Sequence, residues 1–104
     1  MKRTSMLIAA TWLAATGGAV AAPHGALKGA KYASQTKVSL ATARATALKA
    51  RPGTITDQEL EREGGGSGLR YSFDIRAGGK VYEVGVDART GAVLENAAEG
   101  PHPD

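Results

Sequence analysis

Between residues 69 and 94, apolar and polar side chains alternate in runs that are separated by glycine-containing turns. The apolar positions are Leu69, Tyr71, Phe73 and Ile75 in the first run, and Tyr82, Val84 and Val86 in the second. A period of two is typical of a strand with one buried face. Gly78-Gly79 separates the runs, and glycine adopts positive φ without a Cβ clash. The pattern therefore predicts a hairpin with a two-residue turn.

The register of this hairpin follows from its turn, because a two-residue turn makes Ala77 face Lys80. The inner face then pairs Ile75 with Tyr82, Phe73 with Val84, and Tyr71 with Val86. The outer face pairs Arg70 with Asp87, Ser72 with Gly85, and Asp74 with Glu83. A slip of one residue would destroy the apolar pairing, so we expect this register and an apolar inner face that another element covers.

A second turn follows at Asp87-Ala88-Arg89-Thr90-Gly91 and leads into a third run. Asp87, Thr90 and Gly91 are the structural residues of this turn, with Gly91 at a positive-φ position. A four-residue loop, 88–91, would place Val93 opposite Val86 and bury it. A three-residue loop, 89–91, would place Leu94 there instead. We favour the four-residue loop, with Val93 facing inward.

A helix is predicted from Ser39 to Arg51. Ser39 is a natural N-cap residue, and Pro52-Gly53 ends the pattern. The apolar stripe is narrow and consists of Leu40, Ala43, Ala47 and Leu48. Small side chains suit close packing on a sheet. The basic residues Arg44, Lys49 and Arg51 form either a solvated helix face, which we favour, or a basic partner-binding face.

The first strand is predicted from Thr54 to Glu63. Ile55 and Leu60 have opposite parity, so both face inward only if a bulge lies between them. An acidic column runs along the other parity, at Asp57, Glu59, Glu61 and Glu63. This column is either a solvated strand face, a guard against edge pairing, or a site for a cation or a basic peptide. Residues 64–68 are expected to form a mobile hairpin loop. This glycine run is not a phosphate-binding loop, because no Gly-Lys-Ser/Thr follows it and the next element is a strand.

These elements predict an α+β fold, in which one N-terminal helix packs on one face of a small antiparallel sheet of three to four strands in α-β-β-β order. The folded domain spans residues 38–96. A flexible lead-in at 22–37 precedes the domain, and a disordered tail at 97–104 follows it.

The N-terminus predicts an export signal. Lys2-Arg3 precedes an apolar stretch at 6–15 that is too short to span a bilayer, and Ala19-Val20-Ala21 gives a small-x-small cleavage pattern. We expect cleavage after Ala21 and a periplasmic location, without stable membrane insertion afterwards. An uncleaved membrane anchor is the alternative.

Charge is distributed unevenly along the remaining chain. Removal of Lys2 and Arg3 lowers the formal net charge from +3 to +1. Residues 22–51 contain six basic and no acidic residues, whereas residues 52–104 contain five basic and ten acidic residues, a net charge of −5. Export and the absence of an aromatic-basic platform argue against nucleic-acid binding. The chain has no cysteine, which excludes disulfides and thiol chemistry.

The sequence contains no recognisable catalytic or metal-binding set. Its histidines, His24 and His102, lie near the two ends of the chain, and Pro23 disables an amino-terminal copper site. We therefore expect no enzymatic activity, no cofactor and no metal. Function is expected on the outer face or the edges of the sheet, with a candidate partner surface formed by Asp57, Glu59, Glu61, Arg70, Asp74 and Glu83.

The segment from Val38 to Glu95 resembles a PepSY domain. The resemblance rests on the helix that ends Ala-Leu-Lys-Ala-Arg-Pro-Gly and on the stretch from Tyr82 to Leu94, above all Val-Asp-Ala-Arg-Thr-Gly at 86–91. It implies a helix on an antiparallel sheet, no catalytic residues, and a role in restraining or modulating peptidases.

The leading functional hypothesis is a periplasmic binding module that modulates or inhibits a peptidase or another envelope protein. The alternative is a sensory accessory domain that binds a ligand or a cation through Asp57, Glu59 and Glu61. Weak self-association of so small a domain stays open as well.

Overall fold

A computed structural model describes residues 27–100 of the chain. The predicted signal segment, its cleavage position after Ala21, His24 and His102 lie outside these residues. Within residues 27–100, no helix has the length and apolar character that crossing a bilayer requires.

One α-helix packs on a four-stranded antiparallel sheet, which confirms the predicted α+β fold and its order of elements. The helix α1 spans Leu40–Ala50, and the strands are β1 (Thr54–Arg62), β2 (Leu69–Ala77), β3 (Lys80–Asp87) and β4 (Val93–Ala98). Each strand pairs with the next one along the chain, so β1 and β4 form the two edges of the sheet. A 3-10 helix at Ala30–Gln35, which the pattern did not predict, precedes α1.

Helix α1 begins as predicted, because the Ser39 side chain accepts a hydrogen bond from the backbone N–H of Thr42 at 3.1 Å. Ala43 and Ala47 are fully buried against the sheet. Leu40 and Leu48 flank them and are partly buried against the same core. The small side chains of the stripe thus let the helix backbone approach the sheet closely.

The register of the β2–β3 hairpin is confirmed at every predicted pair, from Ala77 opposite Lys80 to Arg70 opposite Asp87. The inner face of β2 and β3 forms the core, in which Phe73, Ile75, Val84 and Val86 are fully buried. Tyr82, the remaining inner-face residue near the hairpin end, is half-buried, and the Arg51 guanidinium covers its ring at 3.8 Å from the centroid.

The bulge predicted in β1 is present, as a shift of the register between Ile55 and Asp57. It allows Ile55 and Leu60 to be buried in the same core despite their opposite parity. Gln58 is also buried, opposite Phe73, and its side-chain oxygen accepts a hydrogen bond from Arg44 of α1. The sequence pattern gave no sign of this buried polar contact.

The last strand corrects one prediction. Val93 does pair with Val86, as the four-residue loop requires, and Gly91 has a φ of 82°. However, the expected burial of Val93 is wrong, because 44% of the residue is exposed. Gly85 pairs with Glu95 rather than with Leu94, so the bulge adds one residue at the start of β4. Val93 lies beside this bulge on an edge strand, where a sheet neighbour contacts it from one side only.

Candidate functional site

The face of the sheet opposite α1 carries most of the carboxylates of the chain. Alternation along the four strands and the observed pairing place them together. We call this surface the acidic face; its members are Asp57, Glu59, Glu61, Glu63, Asp74, Glu83, Glu95 and Glu99. One row across three strands contains acids only, since Asp57 pairs with Asp74 and Asp74 pairs with Glu83. Like charges directly opposite each other are destabilising.

Asp74 lies at the middle of this row and shows the effect of the crowding. Partial burial, a hydrogen bond with the Glu99 side chain, and the charges of Glu99, Asp57 and Glu83 together raise the pKa of Asp74 to about 6. A hydrogen bond between two carboxyl groups requires a proton on one of them. This part of the face therefore takes up a proton at a pH well above the ordinary range for aspartate.

Glu61 on β1 forms a second crowded position. Partial burial raises its pKa most, followed by a hydrogen bond with Glu63 and the charges of Glu59, Glu63 and Glu83, and the result is a pKa of about 7. Its cross-strand neighbour is Arg70, but the guanidinium group of Arg70 bonds to other groups, as described next.

Arg70 is a predicted surface residue that the structure buries, with 6% of the residue exposed. It lies across Gly85, where a Cβ atom would come within 3.0 Å of Nη1. Nη1 donates to Glu95 Oε1 at 3.3 Å, and Nη2 donates to the carbonyl oxygen of Gly64 at 3.0 Å. Arg70 thus passes over β3 to link β2 with β4, and it also holds the β1–β2 loop. Because it is buried beneath the acidic face, a partner cannot reach most of it.

Glu95 belongs to the face but was missed by the sequence analysis. Burial and the charge of Glu83 raise its pKa, and the charge of Arg70 opposes them. A β4 strand without a bulge would have placed Leu94 opposite Gly85, so the extra residue is what brings Glu95 over Arg70.

Lys28 is the second unexpected contributor. Its Nζ forms an exposed ion pair with Asp57 at 2.9 Å, and the hydrogen bond that Nζ donates to this carboxylate raises the pKa of Lys28. Its backbone forms a parallel bridge with Glu59 on the outer edge of β1. A lead-in segment without periodicity gave no signal for this contact.

Asp87, Thr90 and Gly91 form the β3–β4 turn around a buried carboxylate. Asp87 accepts hydrogen bonds from the N–H groups of Arg89 and Thr90 at 2.8 and 3.0 Å. It also accepts bonds from Ser67, at 2.6 Å from the N–H and 2.8 Å from the hydroxyl. Burial by itself would raise the pKa of Asp87, but these four hydrogen bonds outweigh it and hold the pKa well below its usual range.

The structure thus brings five of the six candidate surface residues, Asp57, Glu59, Glu61, Asp74 and Glu83, to one accessible face and leaves Arg70 beneath it. In residues 27–100, no group of three or more His, Cys, Asp or Glu side chains is placed to hold a metal ion. Two of the three helix cations make intramolecular contacts, because Arg44 bonds to Gln58 and Arg51 contacts Tyr82.

A family model described as the peptidase propeptide and YPEB domain, PepSY, matches residues 37–96. The chain belongs to the PepSY family. PepSY domains are known as propeptide-like or inhibitor-like modules of peptidases, are generally non-catalytic, and are typically found outside the cell or in its envelope. No curated protein and no solved structure matches the chain. The family match covers α1 and almost all of the sheet of this PepSY domain, including most of β4.

Proposed function

We propose that this PepSY domain is a non-enzymatic periplasmic binding module that modulates or inhibits a peptidase, or another envelope protein, by docking a basic surface of that protein on its acidic face. The observation that carries the proposal is a sheet face that concentrates carboxylates across four adjacent strands and that no helix or strand of residues 27–100 covers. Family membership supports a peptidase as the partner.

The electrostatics of the face favour a cationic partner. Arg70 and Lys28 each form an ion pair with a carboxylate of the face, with Glu95 and Asp57 respectively. Burial and neighbouring carboxylates raise the pKa values of Glu61 and Asp74. Lys or Arg side chains of a partner would relieve this repulsion, and complementary charge also speeds association.

Site-specific photocrosslinking in living cells tests the proposal. Ser72 is the position for the crosslinker, because it lies between Glu59 and Gly85 in the acidic face and its hydroxyl bonds to Glu83. The control position is Lys49, an exposed residue of α1 on the other side of the sheet. We expect Ser72, but not Lys49, to capture an exported peptidase, and deletion of the chain to change the activity of that peptidase.

A charge-neutralised variant provides the second arm. The triple substitution Glu61→Gln, Asp74→Asn and Glu83→Gln keeps side-chain size but removes charge from the face, and it should abolish capture at Ser72. Lys49→Gln is the matched control and should leave capture unchanged. Unchanged capture by the triple variant, or a deletion strain with unaltered proteolysis, would count against the proposal.

Calorimetry with Ca²⁺ and Mg²⁺ tests the alternative function, a domain that senses a cation. This alternative requires heat of binding from the ions alone.

A further inference from the structure

The two edges of the sheet differ in how they are protected. At the β1 edge, the Lys28 N–H donates to the Gln58 carbonyl at 3.3 Å, and the Leu60 N–H donates to the Lys28 carbonyl at 2.8 Å. The bulge between Ile55 and Asp57 interrupts the regular pairing near the start of this strand. A covering segment and a bulge are both devices that prevent a further strand from pairing. Another strand therefore cannot pair with the centre of the β1 edge.

The β4 edge has no such cover among residues 27–100, where no strand lies beyond it. The Glu99 N–H donates to the Val81 carbonyl at 2.9 Å, which fixes the alternation along β4. Glu95 and Ala97 therefore direct their backbone groups toward β3, while Asn96 and Ala98 direct theirs away from the sheet. These outward N–H and C=O groups have the spacing that an added strand requires.

The side chains of β4 leave this edge accessible. Ala97 and Ala98 are small and exposed, and the strand contains no lysine or proline. Within residues 27–100, the exposed large apolar residue is Val93, at the start of β4. Natural proteins usually guard an edge strand with Lys, Pro or a strong bulge along its length, because a bare edge pairs readily with other chains. The bulge of β4 lies only at its first residues.

We propose that β4 receives an extended segment of the cationic partner as a fifth strand of the sheet. Asn96 and Ala98 would supply the backbone donors and acceptors for the new ladder. This proposal rests on the proposed function, since it takes the partner to be the one that the acidic face attracts, and it adds the mode of binding. Strand addition takes its affinity from main-chain hydrogen bonds and its specificity from alternate side chains.

Charge complementarity specifies one position of the added segment. The residue directly opposite Ala97 lies on the acidic face, diagonal to Glu95 and Glu99, and side chains in such diagonal positions are within reach of long residues. A Lys or Arg there meets two carboxylates. The residues opposite Asn96 and Ala98 lie on the other face, where Arg51 donates to Asn96 Oδ1 at 3.1 Å, so a further cation is unfavourable there. The expected segment alternates basic and uncharged residues.

Amide hydrogen exchange read by NMR tests the proposal directly. The probe is the acetylated and amidated peptide Val-Lys-Val-Lys-Val-Lys-Val, and the control peptide has Glu in place of Lys. In the free protein, the amides of Glu95 and Ala97 should exchange slowly and those of Asn96 and Ala98 quickly. Saturating Lys peptide should slow exchange at Asn96 and Ala98 by at least about tenfold, in line with new backbone hydrogen bonds. The Glu peptide should have no effect.

A pair of variants at one position separates the backbone from the side chain. Ala98→Pro removes the outward N–H while leaving the β3 ladder intact, because proline is tolerated on the free side of an edge strand. We expect it to weaken peptide binding about tenfold, the effect of one lost hydrogen bond. Ala98→Val keeps the N–H and should bind as the unsubstituted protein does. The amide hydrogen-exchange measurement uses the unsubstituted protein, so it tests the proposal even if the Ala98→Pro variant does not fold.

The two proposals fail in different ways. If the peptide binds and the triple acidic-face variant loses binding, but Asn96 and Ala98 gain no protection, strand addition is overturned and docking on the face stands. If no peptide concentration protects Asn96 and Ala98, strand addition is overturned irrespective of the crosslinking result at Ser72. Protection by the Lys peptide together with lost capture in the Ala98→Pro strain would support strand addition in the cell.

Discussion

At the scale of single residues, Asp87 is a buried carboxylate on which the end of the sheet depends. Its carboxylate accepts two hydrogen bonds from the β3–β4 turn and two from Ser67 in the β1–β2 loop. It therefore joins two loops at one end of the sheet. The turn itself was predicted, because an Asp that bonds to N–H groups two and three residues later is a local pattern. The contact with Ser67 was not, since nothing local relates residues that are 20 positions apart.

We predict that Asp87→Asn lowers the free energy of unfolding by about 2–4 kcal/mol, because the amide NH₂ cannot accept the bonds that the carboxylate oxygen accepts and the site is buried. Urea unfolding followed by circular dichroism measures this. Arg89→Ala is the matched control, since the Arg89 side chain is exposed and the bond uses its backbone N–H; we expect a change within about 0.5 kcal/mol. An equal loss in both variants would contradict the role of the carboxylate.

At the scale of elements, the glycine loop between β1 and β2 is held in place, although its composition predicted a mobile segment. Arg70 donates to the Gly64 carbonyl, and Ser67 is bound by Asp87. Gly66 has a φ of 56° and contacts the Asp87 carboxylate, so a Cβ at this position would overlap it. Gly65 and Gly68 also have positive φ, but Gly66 is the position in this run where a Cβ would overlap a buried carboxylate.

We predict that Gly66→Ala destabilises the domain by about 2–3 kcal/mol, from the strained φ together with displacement of Asp87. Gly64→Ala is the control in the same loop, because a Cβ there meets nothing within 4 Å. It should change the free energy of unfolding by less than about 0.5 kcal/mol. Thermal unfolding of the two variants side by side makes the comparison. Similar losses in both would show that glycine content, and not the contact with Asp87, matters in this loop.

The elements that sequence predicted are those with strong local signals. Helix α1, the β2–β3 register and the bulge in β1 follow from caps, alternation and parity within single segments. The bulge of β4, the burial of Arg70 and the contact of Lys28 with β1 depend on packing between distant segments, so alternation does not reveal them. Alternation within single strands also places five of the six candidate surface residues on an accessible face. It does not identify Glu95, because the position of Glu95 depends on the bulge of β4.

At the scale of the whole molecule, the acidic face makes stability depend on pH. The pKa values of Glu61 and Asp74 are raised from 4.5 and 3.8 to about 7 and about 6. In the folded state these groups hold protons that the unfolded chain has lost, so stability is present at low pH and is lost as pH rises through 6 and 7. Asp87, whose pKa is lowered, acts in the opposite direction below about pH 4.

We predict a maximum of stability near pH 5, with a decrease on the order of 1 kcal/mol toward pH 8 after allowance for solvent screening. Urea midpoints measured from pH 3 to pH 9 test this. The double variant Glu61→Gln and Asp74→Asn should flatten the decrease, and Lys49→Gln should keep it. A profile that rises steadily to pH 8 in the unsubstituted protein would contradict the prediction.

The neighbour-to-neighbour order of the four strands also bears on how the chain folds. Each strand pairs with the one before it, and such local connectivity favours fast folding because little loop entropy must be overcome. The contacts between the end of α1 and β4 join residues 46 positions apart, through Asn96 and the Ala50 carbonyl. The N–H groups of Lys37 and Val38 reach still further along the chain, to the Ala88 carbonyl after β3. Both sets of contacts must overcome the entropy of closing a long loop, so they are expected to form after the strand hairpins. The strand that offers its edge to a partner would then gain its contacts with α1 late in folding.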